Sequence, residues 1–354
     1  MTKCHVLYLA CTAAIVGTSL GAAPSAAART AHVVRPGESI QKAVDAAVPG
    51  DTVFVAPGTY RESVTIGTDR VTLRGAGPRT VLQPAPAATR AAGTCAADGN
   101  GICVTGTKDR KVQGVTVTSL TVSGFTKNGV YASATDGLTV RRVTAEKNGV
   151  WGIAAEGSVR TAFRSNTARD NGDAGLFLAN SVKEEQGATD TQGTVVQGNR
   201  MEGNRIGVTV RRLRDLTVAR NRMTGNCAAV FVVGDENKPK AGLVTVRDNR
   251  IERNNKSCPK TPRLDALQGS GIVLTGAEDS LITRNVITDN AGSSPLSGGI
   301  VLFKSFVGTT SERNRISGNV LSGNSPADLV NADTGQGNTF EGNSCRLSRP
   351  AGLC

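Results

Sequence analysis

The sequence predicts an all-β solenoid, a parallel β-helix whose first coil is closed by one short helix. Seven pairs of Asn residues five apart mark the repeat: Asn166/Asn171, Asn199/Asn204, Asn221/Asn226, Asn249/Asn254, Asn285/Asn290, Asn319/Asn324 and Asn338/Asn343. In most copies a Gly and an apolar-x-apolar triplet follow, as in Gly175-Leu176-Phe177-Leu178 and Gly207-Val208-Thr209-Val210. The undisturbed spacing of equivalent Asn residues is 22, from Asn199 to Asn221 and from Asn204 to Asn226. Self-similarity at such a period marks an architecture in which each unit buries its apolar face on the next.

The elements follow in chain order. Residues 1–28 read as a secretory signal: Lys3, an apolar run from Val6 to Leu20, and the small-residue site Ala26-Ala27-Ala28. That run is too short for a membrane span, so the protein is expected to be exported. Residues 29–111 read as an N-terminal cap with the first coils. Within them Ser39 is a helix N-cap, and Ile40, Ala43, Val44 and Ala47 fall at helical spacing up to Pro49-Gly50. Strands are predicted at Asp51-Thr52-Val53-Phe54-Val55, Val64-Thr65-Ile66 and Val71-Thr72-Leu73, with a turn at Pro57-Gly58-Thr59-Tyr60. The helix covers an open stack end that would otherwise expose strand edges.

Residues 112–354 read as the repeats and a C-terminal cap. Segments rich in Val, Ile and Thr, alternating with period two and broken by Gly and Asn, suit strands rather than helices. Three short strands per coil place equivalent residues ~4.8 Å apart. Interior aliphatics fill the coil. The first Asn of each pair (Asn166, Asn199, Asn221, Asn249, Asn285, Asn319, Asn338) is placed at the bend between the second and third strands, where stacked amides form a ladder.

The formal net charge is +12, which favours anionic partners. Nucleic acid is disfavoured, because no basic groove interleaved with aromatics occurs. Beyond residue 28 six cysteines remain, an even number suited to disulfides in an exported chain. Of the possible pairings, those closing the shortest loops are Cys95–Cys103, Cys227–Cys258 and Cys345–Cys354. A zinc site is disfavoured: no CxxC occurs, and His32 is the only histidine after residue 28.

Ser39–Tyr60 (Ser-Ile-Gln-Lys-Ala-Val … Pro-Gly-Asp-Thr-Val … Pro-Gly-Thr-Tyr) resembles the opening of right-handed parallel β-helix proteins of the pectate-lyase-like superfamily. The Asn-x-Ile-x-x-Asn…Gly-Ile-x-Leu rungs are similar to the carbohydrate-binding and sugar-cleaving group that includes the NosD type. The likeness covers roughly residues 33–345. It implies a single-stranded right-handed parallel β-helix with an active cleft on the outer face of the first strand of each rung.

On that face the middle residue of each triplet points outward. The row is Tyr131, Ala154, Phe177, Thr209, Phe231, Val273, Val301 and Val330. Tyr131, Phe177 and Phe231 fall on alternate rungs, ~9.6 Å apart, a spacing suited to a sugar platform, with Thr209 and Arg211 beside them. Insertions at 181–193, 234–242 and 305–311 follow first strands, and those at 257–269 and 291–298 precede them. Loops on both flanks of one sheet are expected to make a cleft.

A lyase acting on uronates needs a cation to neutralise the carboxylate and a base for the α-proton. Lys238, Lys240, Arg263 and Lys304 are the candidates. Signatures of other family chemistries are missing: no Gly-His-Gly and no Asp-Pro-His-Asp segment is present. Acids are scattered apart from Glu184-Glu185 and Asp235-Glu236, so calcium is only weakly indicated. His32, Met201 and Met223 are the only soft ligands besides cysteine after residue 28, which disfavours copper. The expectation is a protein that binds an anionic extracellular polysaccharide and, if an enzyme, cleaves it by β-elimination. The alternative is a non-catalytic surface or matrix protein.

Overall fold

Short runs of Val, Ile and Thr, each stopped by a bend residue in the left-handed region, wind the chain into coils of three strands. The structure, a computed structural model, describes residues 30–86, 94–107, 109–262 and 264–354. The segment read as a signal and Arg263 lie outside these residues.

Three parallel sheets result, each taking one strand per coil. The front sheet carries the apolar triplets, for example Ala174–Ala179, Ile206–Arg211 and Ala228–Val233. The flank sheet follows it (Thr189–Gln197, Leu213–Ala219), and the back sheet comes third (Arg200–Glu202, Arg222–Thr224). Side chains pointing inward, among them Val140, Phe163, Val196, Val218, Met201 and Met223, are completely buried in one continuous core.

Helix α1, Ile40–Ala46, caps the first coil as predicted. Ser39 accepts the Lys42 N–H, and the Glu62 carboxylate accepts from the N–H groups of Ile40 and Gln41. The predicted turn at Pro57–Tyr60 is instead part of the back-sheet strand Gly58–Arg61. Tyr60 points inward there and its hydroxyl donates to the Ala56 carbonyl at 3.0 Å, so an aromatic replaces the apolar residue that would have flagged a strand.

The Asn ladders form at both bends of the back sheet. Asn166 donates through its N–H and Nδ2 to Asn199 Oδ1, at 2.9 and 3.0 Å, and through Nδ2 to the Val140 carbonyl. The series continues through Asn221, Asn249, Asn285, Asn319 and Asn343. A second ladder runs from Asn148 through Asn171, Asn204, Asn226, Asn254 and Asn290 to Asn324. It ends on buried Asp328, whose Oδ1 accepts the Asn324 amide at 2.8 Å while Oδ2 accepts the Arg346 N–H.

One ladder assignment needs correction. Asn338 stacks on Asn314, at 3.0 Å, and Asn343 takes its place above Asn319. Asn314, Asn319 and Asn324 are five apart at three successive bends, so the spacing alone fits two frames. The three cysteine pairs predicted from short loop closure all form: Cys95–Cys103, Cys227–Cys258 and Cys345–Cys354.

Candidate functional site

Parallel register places Tyr131, Ala154, Phe177, Thr209, Phe231, Val273, Val301 and Val330 in one outward column of the front sheet. The column is the one read from the triplets, but its exposure is not. Phe177, Thr209 and Phe231 are 8%, 6% and 4% exposed, and Val273 and Val301 are fully buried. The insertions do not stand as walls of an open cleft. Leu264, Leu267 and Leu296, from the insertions at 257–269 and 291–298, join Phe231, Val273 and Val301 in a second apolar cluster outside the sheet. A row of Phe and Val facing water would be costly, and the loops are long enough to cover it.

Backbone and side-chain bonds fix these covers. Cys258 and Leu267 exchange backbone hydrogen bonds across a small hairpin, which Cys227–Cys258 ties to the sheet. The buried Arg205 guanidinium donates to the carbonyls of Pro259 and Asp265. The Ala188 N–H donates to the Pro239 carbonyl at 2.7 Å, and a Cβ on Gly187 would lie 2.0 Å from the Lys238 carbonyl oxygen, so these two loops meet at backbone distance.

The half-open part of the face lies toward the N-terminus. There Trp151 stacks on Phe177, with ring centroids 4.0 Å apart and planes 6° from parallel. Its indole N–H donates to Asp173 at 3.0 Å. Burial pushes the Asp173 carboxyl up, against the pull of the Trp151 bond and the Arg205 charge. Burial also lowers the Arg205 guanidinium. Half-buried Tyr131 donates to Glu156 at 2.7 Å, and the other Glu156 oxygen accepts the Val182 N–H. Burial, then that bond and the Glu156 charge, hold the Tyr131 phenol protonated well above its ordinary range.

Aromatic rings flanked by fixed carboxylates can stack on sugar faces and accept from hydroxyls. Reading only triplet centres missed Trp151, Glu156, Asp173 and Arg205. The available signal was the chain's single tryptophan, set between glycines three residues before Ala154.

The proposed bases are elsewhere. Lys238 and Lys240 line an open groove of about 610 Å³ with Pro239, Glu278, Glu312 and Arg313, at the corner of the front and flank sheets. Lys240 Nζ lies 2.9 Å from Glu312 and donates to the Thr310 carbonyl; this pairing holds the Glu312 carboxyl below its usual value. Exposed Lys304 sits on the loop after the front strand Gly298–Phe303. Tyr131 is four coils, roughly 19 Å, from Phe231, whose coil leads into Lys238 and Lys240. Arg211 is partly exposed at the end of its front strand, beside buried Arg212.

The family model described as right handed beta helix region matches residues 94–241, and that described as periplasmic copper-binding protein (NosD) matches residues 183–346. The donors present do not suit copper. Among the described residues no three His, Cys, Asp or Glu groups gather around one point, Met201 and Met223 are core residues, and the six described cysteines are in disulfides. The same finding leaves calcium without a cluster of carboxylates among the described residues. No curated protein matches the sequence.

Among solved structures, the A-module of the Azotobacter vinelandii mannuronan C-5 epimerase AlgE4 is similar at 20% identity and TM-score 0.53, over 87% of this chain and 92% of that one. An alginate lyase from Paenibacillus sp. str. FPU-7 is similar at 14% identity and TM-score 0.53, over 89% and 97%. DFA-IIIase from Arthrobacter chlorophenolicus A6, without its lid and in complex with GF2, gives 14% and 0.53, over 84% and 88%. These likenesses agree with the coil geometry, the ladders and the capping helix: the chain folds as a right-handed parallel β-helix.

Proposed function

We propose that this protein binds an extended, anionic extracellular polysaccharide on the N-terminal part of the front sheet. The observation that carries the reading is the Trp151–Phe177 stack, beside Tyr131 and pinned at its edge by Asp173. An indole held flat and partly exposed on an otherwise covered face is a sugar platform fixed before its ligand arrives. The names of the similar folds, a mannuronan epimerase and an alginate lyase among them, support a carbohydrate as the ligand class. The +12 net charge supports an anionic one. Three disulfides and the signal-like residues 1–28 support an oxidising, extracytoplasmic setting.

Binding without cleavage is the form the geometry favours. Lys240 is neutralised by Glu312, and neither Lys238 nor Lys304 stands beside the aromatic platform. Affinity electrophoresis through gels containing alginate or polygalacturonate tests the reading. Retardation by one of them, reduced roughly tenfold in affinity by Trp151→Ala, is the expected result. Unchanged retardation in that variant would sink it. New unsaturated ends absorbing in the ultraviolet, lost in Lys240→Ala, would replace the binding reading with a lyase.

A further inference from the structure

Many arginines of this surface are neutralised by neighbours in the stack. Arg169 pairs with Glu146, Arg222 with Glu252, Arg284 with Asp248 and Arg313 with Asp279. The corner between flank and back sheets in the N-terminal half gathers arginines that are not. Arg74, Thr118, Arg141 and Arg164 succeed one another in register along one outward column of the flank sheet. The bend beside that column carries Ser119, Arg142, Ser165, Gly198 and Arg220 in successive coils, and Arg79 lies at the same bend one coil earlier.

None of these six arginines makes an ion pair among the described residues. Arg74 lies over the Phe54 ring, and Arg164 donates to Gln197. The first acid in either column is Asp248, already shared by Arg247 and Arg284. At the opposite edge of the flank sheet, Asp69 and Asp136 are held by Arg110 and Arg160. Arg141 and Arg164 stack in register one coil apart, an unfavourable pairing of like charges, and neither meets an acid.

We infer that this corner is a second binding site, for a linear phosphodiester polymer without bases lying along the helix axis. Two adjacent columns of guanidinium groups bracket a single line. A polymer with its charge in the backbone presents that charge to both columns, whereas pendant carboxylates present it to one. Six arginines and no lysine suit the forked geometry of phosphate oxygens. A nucleic acid would call for stacking rings, and the one aromatic described in these columns, Phe54, lies beneath Arg74. The site is on a different sheet from the Trp151 platform and does not depend on it.

The test is titration of the full chain with fluorescent poly(glycerol phosphate) over a salt series. Affinity should fall steeply with salt. Arg141→Gln/Arg164→Gln should lower it at least tenfold and reduce the log–log salt slope by about two, one per contact. Arg169→Gln/Arg284→Gln, which removes two paired arginines, controls for net charge, and Trp151→Ala should bind the polymer as the wild type does. Equal losses in Arg141→Gln/Arg164→Gln and Arg169→Gln/Arg284→Gln would overturn the site. Tighter binding of polygalacturonate or of a single-stranded oligonucleotide at this corner would overturn the ligand class. Circular dichroism of each variant separates lost binding from lost fold.

Discussion

Asn204 makes four hydrogen bonds with one side-chain amide. Its oxygen accepts the N–H and Nδ2 of Asn171, and its nitrogen donates to Asn226 and to the Ala168 carbonyl. Because Asn204 is completely buried, Asn204→Ala leaves partners on two coils without water or a substitute. Chemical denaturation should show a loss on the order of 3 kcal/mol. A loss below about 0.5 kcal/mol would mean that the ladder guides folding without stabilising the product. At a half-buried bend, Asp248 is held down at about 2 by its hydrogen bond to Arg284 and then by Arg247. The folded value lies below the unfolded one of about 3.9, so its contribution is complete above pH 4 and is lost as pH falls toward 2. Melting temperatures between pH 5 and pH 2 should fall less steeply in Asp248→Asn than in the wild type. At this scale the sequence showed which residues face outward, because strand alternation is strict. It did not show which of them meet water, since Phe177 and Thr209 carry no mark of the loop lying over them.

The insertion at 257–269 illustrates how an element is read differently by sequence and by structure. Its position before a front strand was legible, and so was the Cys227–Cys258 closure. Its apolar positions, Leu264 and Leu267, are the feature that makes it a cover rather than a wall. In a loop of mixed charge and proline those leucines show no period, so no pattern announced their burial. The 31-residue disulfide loop should contribute about 3.7 kcal/mol by restricting the unfolded chain. Cys227→Ala/Cys258→Ala should therefore melt at a lower temperature and be nicked by protease first within 257–269. Cleavage starting elsewhere would show that Arg205, through the carbonyls of Pro259 and Asp265, suffices to hold the loop.

Over the whole molecule, near-identical coils contact mainly their neighbours, so stability adds coil by coil. Deleting residues 200–221 removes one complete 22-residue repeat and rejoins the chain at equivalent bends. Such a variant should keep its β-sheet circular dichroism and melt only modestly lower, whereas Val208→Asp, a charge placed in the core of the same coil, should prevent folding. Failure of the deletion to fold would show that the loop contacts between 181–188 and 234–240 outweigh the repeat. The architecture was legible because a period of stacked amides leaves few other solutions, while the Trp151–Phe177 stack was not, because its tryptophan breaks the repeat instead of following it.

A stack of like rungs has no built-in length, and an asparagine at its end offers two donors, its N–H and Nδ2, to any chain that arrives. Asp328 closes that offer. A carboxylate accepts the last amide but has no proton to pass onward, and its second oxygen is occupied by the Arg346 N–H. This ladder is thereby closed, and one nitrogen atom, supplied by Asp328→Asn, is what its end withholds.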